Sequence, residues 1–168
     1  NRKGGLLVLE AFKMVRKKTN NDIQLIIGGP YRWPLPGDIP AGVQFIGNPP
    51  AHLIRHYYEK SDLFCMPSYF EGGYPIVFLE ALSFGIPCIG RDIQGIREII
   101  SPGVNGGLLS EDSPNQLADL IVRILNDRSM QARVKEKAVY IQKAYAWENV
   151  AQKMIQIIEN DLQKGKIK

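Results

Sequence analysis

PSYFEGGYPIVFLEALSFGIPCIGRDIQGIREIISPGVNGGLL, running from Pro67 to Leu109, is the stretch from which the rest of this 168-residue sequence can be read. It follows Leu63-Phe64-Cys65-Met66, a short apolar run of the kind that forms a buried parallel strand. A loop comes next, with the carboxylate of Glu71 beside Gly72 and Gly73. Pro75 then opens an amphipathic helix that carries a second carboxylate, Glu80. Proline suits the first helical position because its missing N–H is not needed there. Two adjacent glycines let a backbone approach a ligand closely, and a helix start offers free N–H groups to an anion. A strand, a glycine loop and a helix start flanked by carboxylates suit a binder of phosphate and polyhydroxyl groups.

Working outward, apolar spacing predicts a helix over Gly5 to Lys18, with Leu6, Leu9, Phe12 and Val15 recurring. Strands are predicted at Ile23 to Ile27 and Val43 to Ile46, separated by a Pro- and Gly-rich loop holding Tyr31, Arg32 and Trp33. A helix over Ala51 to Lys60, the strand Leu63 to Met66 and the helix Pro75 to Phe84 follow. Then come a strand at Pro87 to Ile89, a short helix within Ile93 to Ile100 and a strand at Gly107 to Leu109. The remainder reads as three helices, Pro114 to Asn126, Ser129 to Ala144 and Trp147 to Gln163. Alternating strands and helices predict an α/β fold, a Rossmann-like parallel sheet with helices on both faces. Ligands of such sheets bind beyond the carboxyl ends of the strands. The loops at Gly28-Gly29, Gly47-Asn48, Ser68 to Tyr74 and Arg91 to Gly95 should therefore line one edge.

Composition narrows the choice. The length and 45% hydrophobic content fit one well-packed domain. No apolar run approaches the ~20 residues that cross a bilayer, and the opening Asn1-Arg2-Lys3 is no signal peptide. The net charge of +4 comes partly from Arg16-Lys17-Lys18 and from Lys164, Lys166 and Lys168. Solvated helix ends explain these clusters; weak attraction to anionic lipid head groups is the alternative. No basic and aromatic stripe accompanies the charge, so nucleic acid is not expected as a partner. Cys65 and Cys88 sit in apolar runs, read as core thiols suited to a reducing cytoplasm. His52 and His56 stand one helical turn apart without a third ligand nearby, and no Asp-x-Asp motif occurs. Nothing in the residues asks for a divalent cation or an organic cofactor.

Pro67-Ser68, Glu71-Gly72, Tyr74-Pro75-Ile76-Val77 and Glu80-Ala81 together resemble the donor-site signature of the group 1 (family 4) retaining glycosyltransferases of GT-B fold. Further blocks follow in the family's order: Gly85-Ile86-Pro87-Cys88-Ile89, Gly95-Ile96-Arg97-Glu98-Ile99-Ile100 and Asn105-Gly106-Gly107-Leu108-Leu109. Upstream, Arg2-Lys3-Gly4-Gly5 is similar to the family's Lys-Gly helix start. One departure stands out: eight residues separate Glu71 from Glu80, one more than the family's usual seven, because Gly72 and Gly73 are both present.

The resemblance implies that residues 1–168 are a single nucleotide-sugar (donor) binding domain, the C-terminal half of such an enzyme. It is then expected to be truncated at its N-terminus and to lack the acceptor-binding domain. Lys3 would contact the donor diphosphate, and Glu71 would face the donor sugar near its reacting carbon. These two are the candidate catalytic residues. Gly72, Gly73, Tyr74, Pro75 and the backbone N–H groups of Ile76 and Val77 would cradle the donor, and Glu80 would accept hydrogen bonds from ribose hydroxyls. The implied reaction moves a sugar from a nucleotide-diphosphate donor to a glycan or lipid-linked acceptor, in the cytoplasm or at the cytoplasmic face of a membrane. Two alternatives remain on the residues alone. One is a non-catalytic module keeping the fold. The other is a Rossmann oxidoreductase, which would need a Gly-x-Gly-x-x-Gly turn that Gly28-Gly29-Pro30 does not supply.

Overall fold

The computed structural model describes residues 2–20, 22–29 and 39–165. Helix α1 (Gly5–Lys18) begins at Gly4, whose φ of 75° is left-handed, and buries Leu7, Val8, Leu9, Ala11, Phe12 and Val15 along one side. Its last turn carries Arg16, Lys17 and Lys18, cations placed where the helix dipole is negative. Lys18 also pairs with Asp119, and Arg16 donates to the Ala41 carbonyl, so two of these three cations are engaged in holding the fold.

Strand β1 (Leu25–Gly28) pairs in parallel with β2 (Val43–Gly47). After α2 (Ala51–Glu59) come β3 (Phe64–Met66), α3 (Ile76–Ser83), β4 (Cys88–Arg91) and β5 (Gly106–Leu109). The strands β3, β4 and β5 are parallel and lie in that order, with Phe64 opposite Cys88 and Cys88 opposite Gly106. The chain closes with α4 (Pro114–Asn126), α5 (Arg128–Ala144) and α6 (Trp147–Gln163). Ser113 caps α4 by accepting from the Gln116 N–H, with Pro114 at the first turn, and Asp127 caps α5 through the Met130 N–H. The expected α/β fold with parallel strands is present, its ladders falling into a pair and a triplet among the described residues.

Strand geometry assigns the helices to faces. Neighbouring residues of a strand point to opposite sides, and residues paired in register point to the same side. A Cβ at Gly90 would meet Ile96, Phe78 of α3 and Ile100, whereas one at Gly107, the register partner of Ile89, would meet Leu120 of α4. Helices α3 and α4 therefore cover opposite faces of the triplet. One contiguous core results, built around Phe78, Leu82, Ile89, Leu109, Leu117 and Ile124. Gly106 is the tightest point: a Cβ there would lie 1.9 Å from the Cys88 carbonyl oxygen, so no side chain fits. Cys88 is fully buried within this core, and both cysteines are free thiols.

Two expectations need correction. The segment Ile93 to Ile100 is not a helix but a series of turns, because Gly95 takes φ +83° and breaks the α conformation between the turns starting at Ile93 and Ile96. Helix α3 starts one residue later than expected, with Pro75 at the cap in extended geometry (φ −78°, ψ 103°). In the first half of α6, Trp147 is 79% exposed and only Val150 is partly covered. Tyr31, Arg32 and Trp33, and also Lys166 and Lys168, lie outside the described residues.

Candidate functional site

The glycine loop is held from two directions. Gly4 packs against Pro67, where a Cβ would come within 2.5 Å of the Pro67 carbonyl oxygen, and the Tyr69 N–H donates to the Arg2 carbonyl at 2.9 Å. On the far side Gly95 lies under Gly73, where a Cβ would sit 2.5 Å from the Gly73 carbonyl oxygen. Lys3 and Glu71, 68 residues apart in sequence, are thereby brought together, with Lys3 Nζ donating to Glu71 Oε1 at 2.5 Å. The family resemblance implied a separate task for each; the structure joins them in an ion pair. Burial alone would raise the Glu71 carboxyl, whose side chain is only 8% exposed. The Lys3 ammonium, the Ser68 hydroxyl and Arg2 outweigh it and hold the group below its ordinary value. Ser68 itself is fully buried.

Glu80 lies on the exposed side of α3, one oxygen accepting from the Tyr58 hydroxyl of α2 at 3.0 Å. Gly72, Gly73, Tyr74 and Ile76 are exposed, so the loop and the helix start face outward, and Val77 is partly buried. The first N–H groups of a helix have no acceptor within it, which leaves those of Ile76 and Val77 for an anion. Tyr74 Oη lies 3.3 Å from Tyr145 Oη, and burial foremost raises the Tyr74 hydroxyl well above its ordinary value. Beyond them a groove of about 480 Å³ opens between α3 and the α5–α6 junction, with Ile76, Glu80, Tyr145 and Trp147 on its walls.

At the ends of the triplet strands, a second polar cluster follows β3, β4 and β5 in space. The Tyr69 hydroxyl donates to both carboxylate oxygens of Asp112 at 2.7 and 2.9 Å. Arg91 lays its guanidinium 4.2 Å from the Tyr69 ring centre and donates to Asp112 at 3.1 Å. The hydrogen bond from Tyr69 is the main reason Asp112 ionises more readily than a free aspartate. Between the clusters, Arg97 pairs with Asp92 across the Gly95 turn, and Glu98 is exposed beside it. His52 and His56 are exposed on α2, and no three potential metal ligands come together among the described residues.

Sequence reasoning named Lys3, Glu71, the glycine loop and Glu80, and all of these lie around the start of α3 or in the loop before it. It missed Tyr58, Tyr69, Arg91 and Asp112. Each is a single residue in an ordinary helix, loop or strand end, and only the packing of separate elements gives it a partner.

The fold matches solved structures of glycosyltransferases of GT-B type. Anabaena HepE, solved in complex with UDP, superposes with a TM-score of 0.77 over 95% of this chain and 46% of its own, at 19% identity. Sucrose-phosphate synthase from Thermosynechococcus elongatus gives 0.73 over 97% and 43%, at 23% identity. Among curated proteins, the lipopolysaccharide 1,2-N-acetylglucosaminetransferase of Salmonella typhimurium is 30% identical over 94% of this chain and 45% of its own length. A GDP-mannose-dependent phosphatidylinositol monomannoside mannosyltransferase of Corynebacterium glutamicum is 26% identical over 83% and 40%. The chain thus spans under half the length of these relatives. The profile of the family described as "Glycosyl transferases group 1" matches residues 1–139, and the chain belongs to that family. Membership sets aside the oxidoreductase alternative. No helix among the described residues is long and apolar enough to cross a membrane.

Proposed function

We propose that this chain is the donor-binding half of a retaining glycosyltransferase, which takes a sugar from a nucleotide-diphosphate donor and transfers it to a hydroxyl of a glycan or lipid-linked acceptor. The observation that carries the reading is the meeting of Lys3 and Glu71 beside the start of α3. An ammonium and a helix start together suit a diphosphate, whose growing charge they stabilise as it leaves the sugar. The glycine loop lets the donor lie close to the backbone, and Glu80 suits the ribose hydroxyls. Glu71, ionised and mostly buried, stands where the sugar would lie. Its carboxylate orients sugar hydroxyls and favours positive charge near the reacting carbon. HepE was solved with UDP and with glucose, which supports a nucleotide sugar as the donor class. The names of the Salmonella and Corynebacterium relatives support an acceptor from lipopolysaccharide or lipid-linked glycan assembly. In this reading the transfer takes place in the cytoplasm, at the inner face of a membrane.

In this reading the chain alone binds donor and transfers nothing, because acceptor contacts come from a further domain. Calorimetric titration with UDP, GDP and ADP and their sugars tests it. One base is expected to bind weakly, with a Kd on the order of 0.1–1 mM, or about 4–5.5 kcal/mol of binding free energy. Failure of all three nucleotides to bind, or sugar transfer by the chain on its own, would overturn it.

A further inference from the structure

We propose that Tyr58 is the positioning residue of Glu80, and that the pair acts as one unit that distinguishes a ribose from a deoxyribose. The inference rests on the donor-binding reading above and adds to it a residue from a different helix.

Glu80 alone would be a poor reader of hydroxyl groups. It is exposed on α3, and a glutamate has three side-chain torsions to fix before it can meet two hydroxyls at once. Tyr58 supplies the missing constraint. Its hydroxyl donates to Glu80 Oε2 at 3.0 Å and lies 3.4 Å from the Val77 carbonyl oxygen, one turn earlier on the same helix.

The donor itself is held firmly. The Tyr58 ring stacks on Phe84 with centroids 5.4 Å apart and planes 13° from parallel, and Phe64 lies tilted against it at 6.1 Å. Phe84 caps the end of α3, so the ring that steadies Tyr58 belongs to the helix that carries Glu80. Arg55 lies over the Phe84 ring at 5.9 Å and completes the stack.

The consequence is chemical as well as geometric. Burial, and then the neighbouring Glu80 charge, keep the Tyr58 hydroxyl protonated far above neutral pH, so the proton it donates to Glu80 stays in place. One carboxylate oxygen is committed to it. Glu80 is exposed, so Oε1, with the remaining lone pair of Oε2, is left to accept from a vicinal diol. The ordering cost of the carboxylate is met before the ligand arrives.

The test is a set of calorimetric titrations on the chain and its Y58F and E80Q variants. The probes are UDP, GDP and ADP and their 2′-deoxy counterparts, with a thermal melt of each protein. Tyr58→Phe keeps both ring contacts and removes only the hydroxyl. For the base that binds, wild type is expected to prefer the ribonucleotide about tenfold, the scale of a hydrogen bond to a charged group. In Y58F the deoxynucleotide affinity should stay within about twofold and the preference should fall below about threefold. A preference that survives in Y58F overturns the proposal while leaving the donor reading intact. Absence of binding to any nucleotide overturns both. Should Y58F fail to fold, the Tyr58 Cζ resonance of 13C-tyrosine-labelled wild type decides. It should move with the ribonucleotide and move less with the deoxynucleotide, and an equal response overturns the proposal.

Discussion

Gly4 and Pro67 touch so closely that a Cβ on Gly4 would lie 2.5 Å from the Pro67 carbonyl oxygen and 2.9 Å from its Cγ. This contact seats the start of α1 on the end of β3 and delivers Lys3 to Glu71. Gly4→Ala should therefore cost more than the ~1–2 kcal/mol of forcing a left-handed residue to carry a Cβ. It should also separate Lys3 from Glu71. Urea unfolding gives the first quantity, and the Glu71 carboxyl titration followed by NMR gives the second. A stable variant with an unchanged Glu71 titration would show that the contact does not position the pair.

Removing Lys3 should raise the Glu71 carboxyl. In the native chain the carboxyl lies below its ordinary value, so its contribution to stability is present above the unfolded-state value and is lost as pH falls through the folded one. In Lys3→Ala only the Ser68 hydroxyl and Arg2 still oppose burial, and the folded-state value should move up toward the unfolded one. Stability then gains less as pH rises through the carboxylate range. Chemical denaturation of both proteins from about pH 3 to pH 7 reads the difference, since the ordinary carboxylate value of ~4.3 falls inside that window. Parallel curves would mean that Lys3 does not govern Glu71.

Gly95 and Gly47 make a controlled comparison. Both are left-handed, at φ +83° and +60°, but a Cβ at Gly95 would strike the Gly73 carbonyl oxygen at 2.5 Å, whereas nothing lies within 4 Å of one at Gly47. Gly47→Ala should show only conformational strain of about 1 kcal/mol or a little more. Gly95→Ala should melt lower and also shift the glycine loop, lowering affinity for whichever nucleoside diphosphate binds. Equal melting temperatures would show that the loop yields without cost.

The two glutamates should separate under binding and turnover measurements. Glu80→Ala should weaken nucleoside diphosphate binding by roughly 1.5–3 kcal/mol, the range for hydrogen bonds to a charged group. Glu71→Ala should leave that binding nearly unchanged and lower sugar transfer in a protein that carries both halves of the cleft. Equal losses in UDP or GDP affinity would displace Glu71 from the sugar side of the site.

Helix α6 leaves an apolar stripe uncovered: Met154, Ile155, Ile157 and Leu162 are 58, 54, 61 and 50% exposed. A contiguous apolar surface of this kind marks an interface. The 168-residue chain should consequently self-associate as its concentration rises, and Ile157→Ser with Leu162→Ser should suppress this without lowering the melting temperature. Deuterium exchange provides a second check. Strong protection across residues 157–162 in a demonstrably monomeric sample would mean that the helix is covered by its own domain.

The elements and their order were legible in the sequence because each follows from local patterns. Apolar spacing marks α1, and short apolar runs mark the strands. The glycine loop with Glu71, and Glu80 on the following helix, were legible for the same reason. One local signal misled. Ile93 to Ile100 has the composition of a helix, but Gly95 adopts a left-handed turn because the neighbouring loop needs room for the Gly73 carbonyl. What only the tertiary structure decided is which side chains meet. Lys3 reaches Glu71 across 68 positions, Tyr58 reaches Glu80 across 22, and Tyr69 reaches Asp112 across 43. Hydrophobic periodicity records only whether a residue faces the core. Partner choice among polar groups depends on the register of parallel strands and on the closeness of backbone packing, and glycines at positions 4, 95 and 106 set that closeness through atoms they do not have.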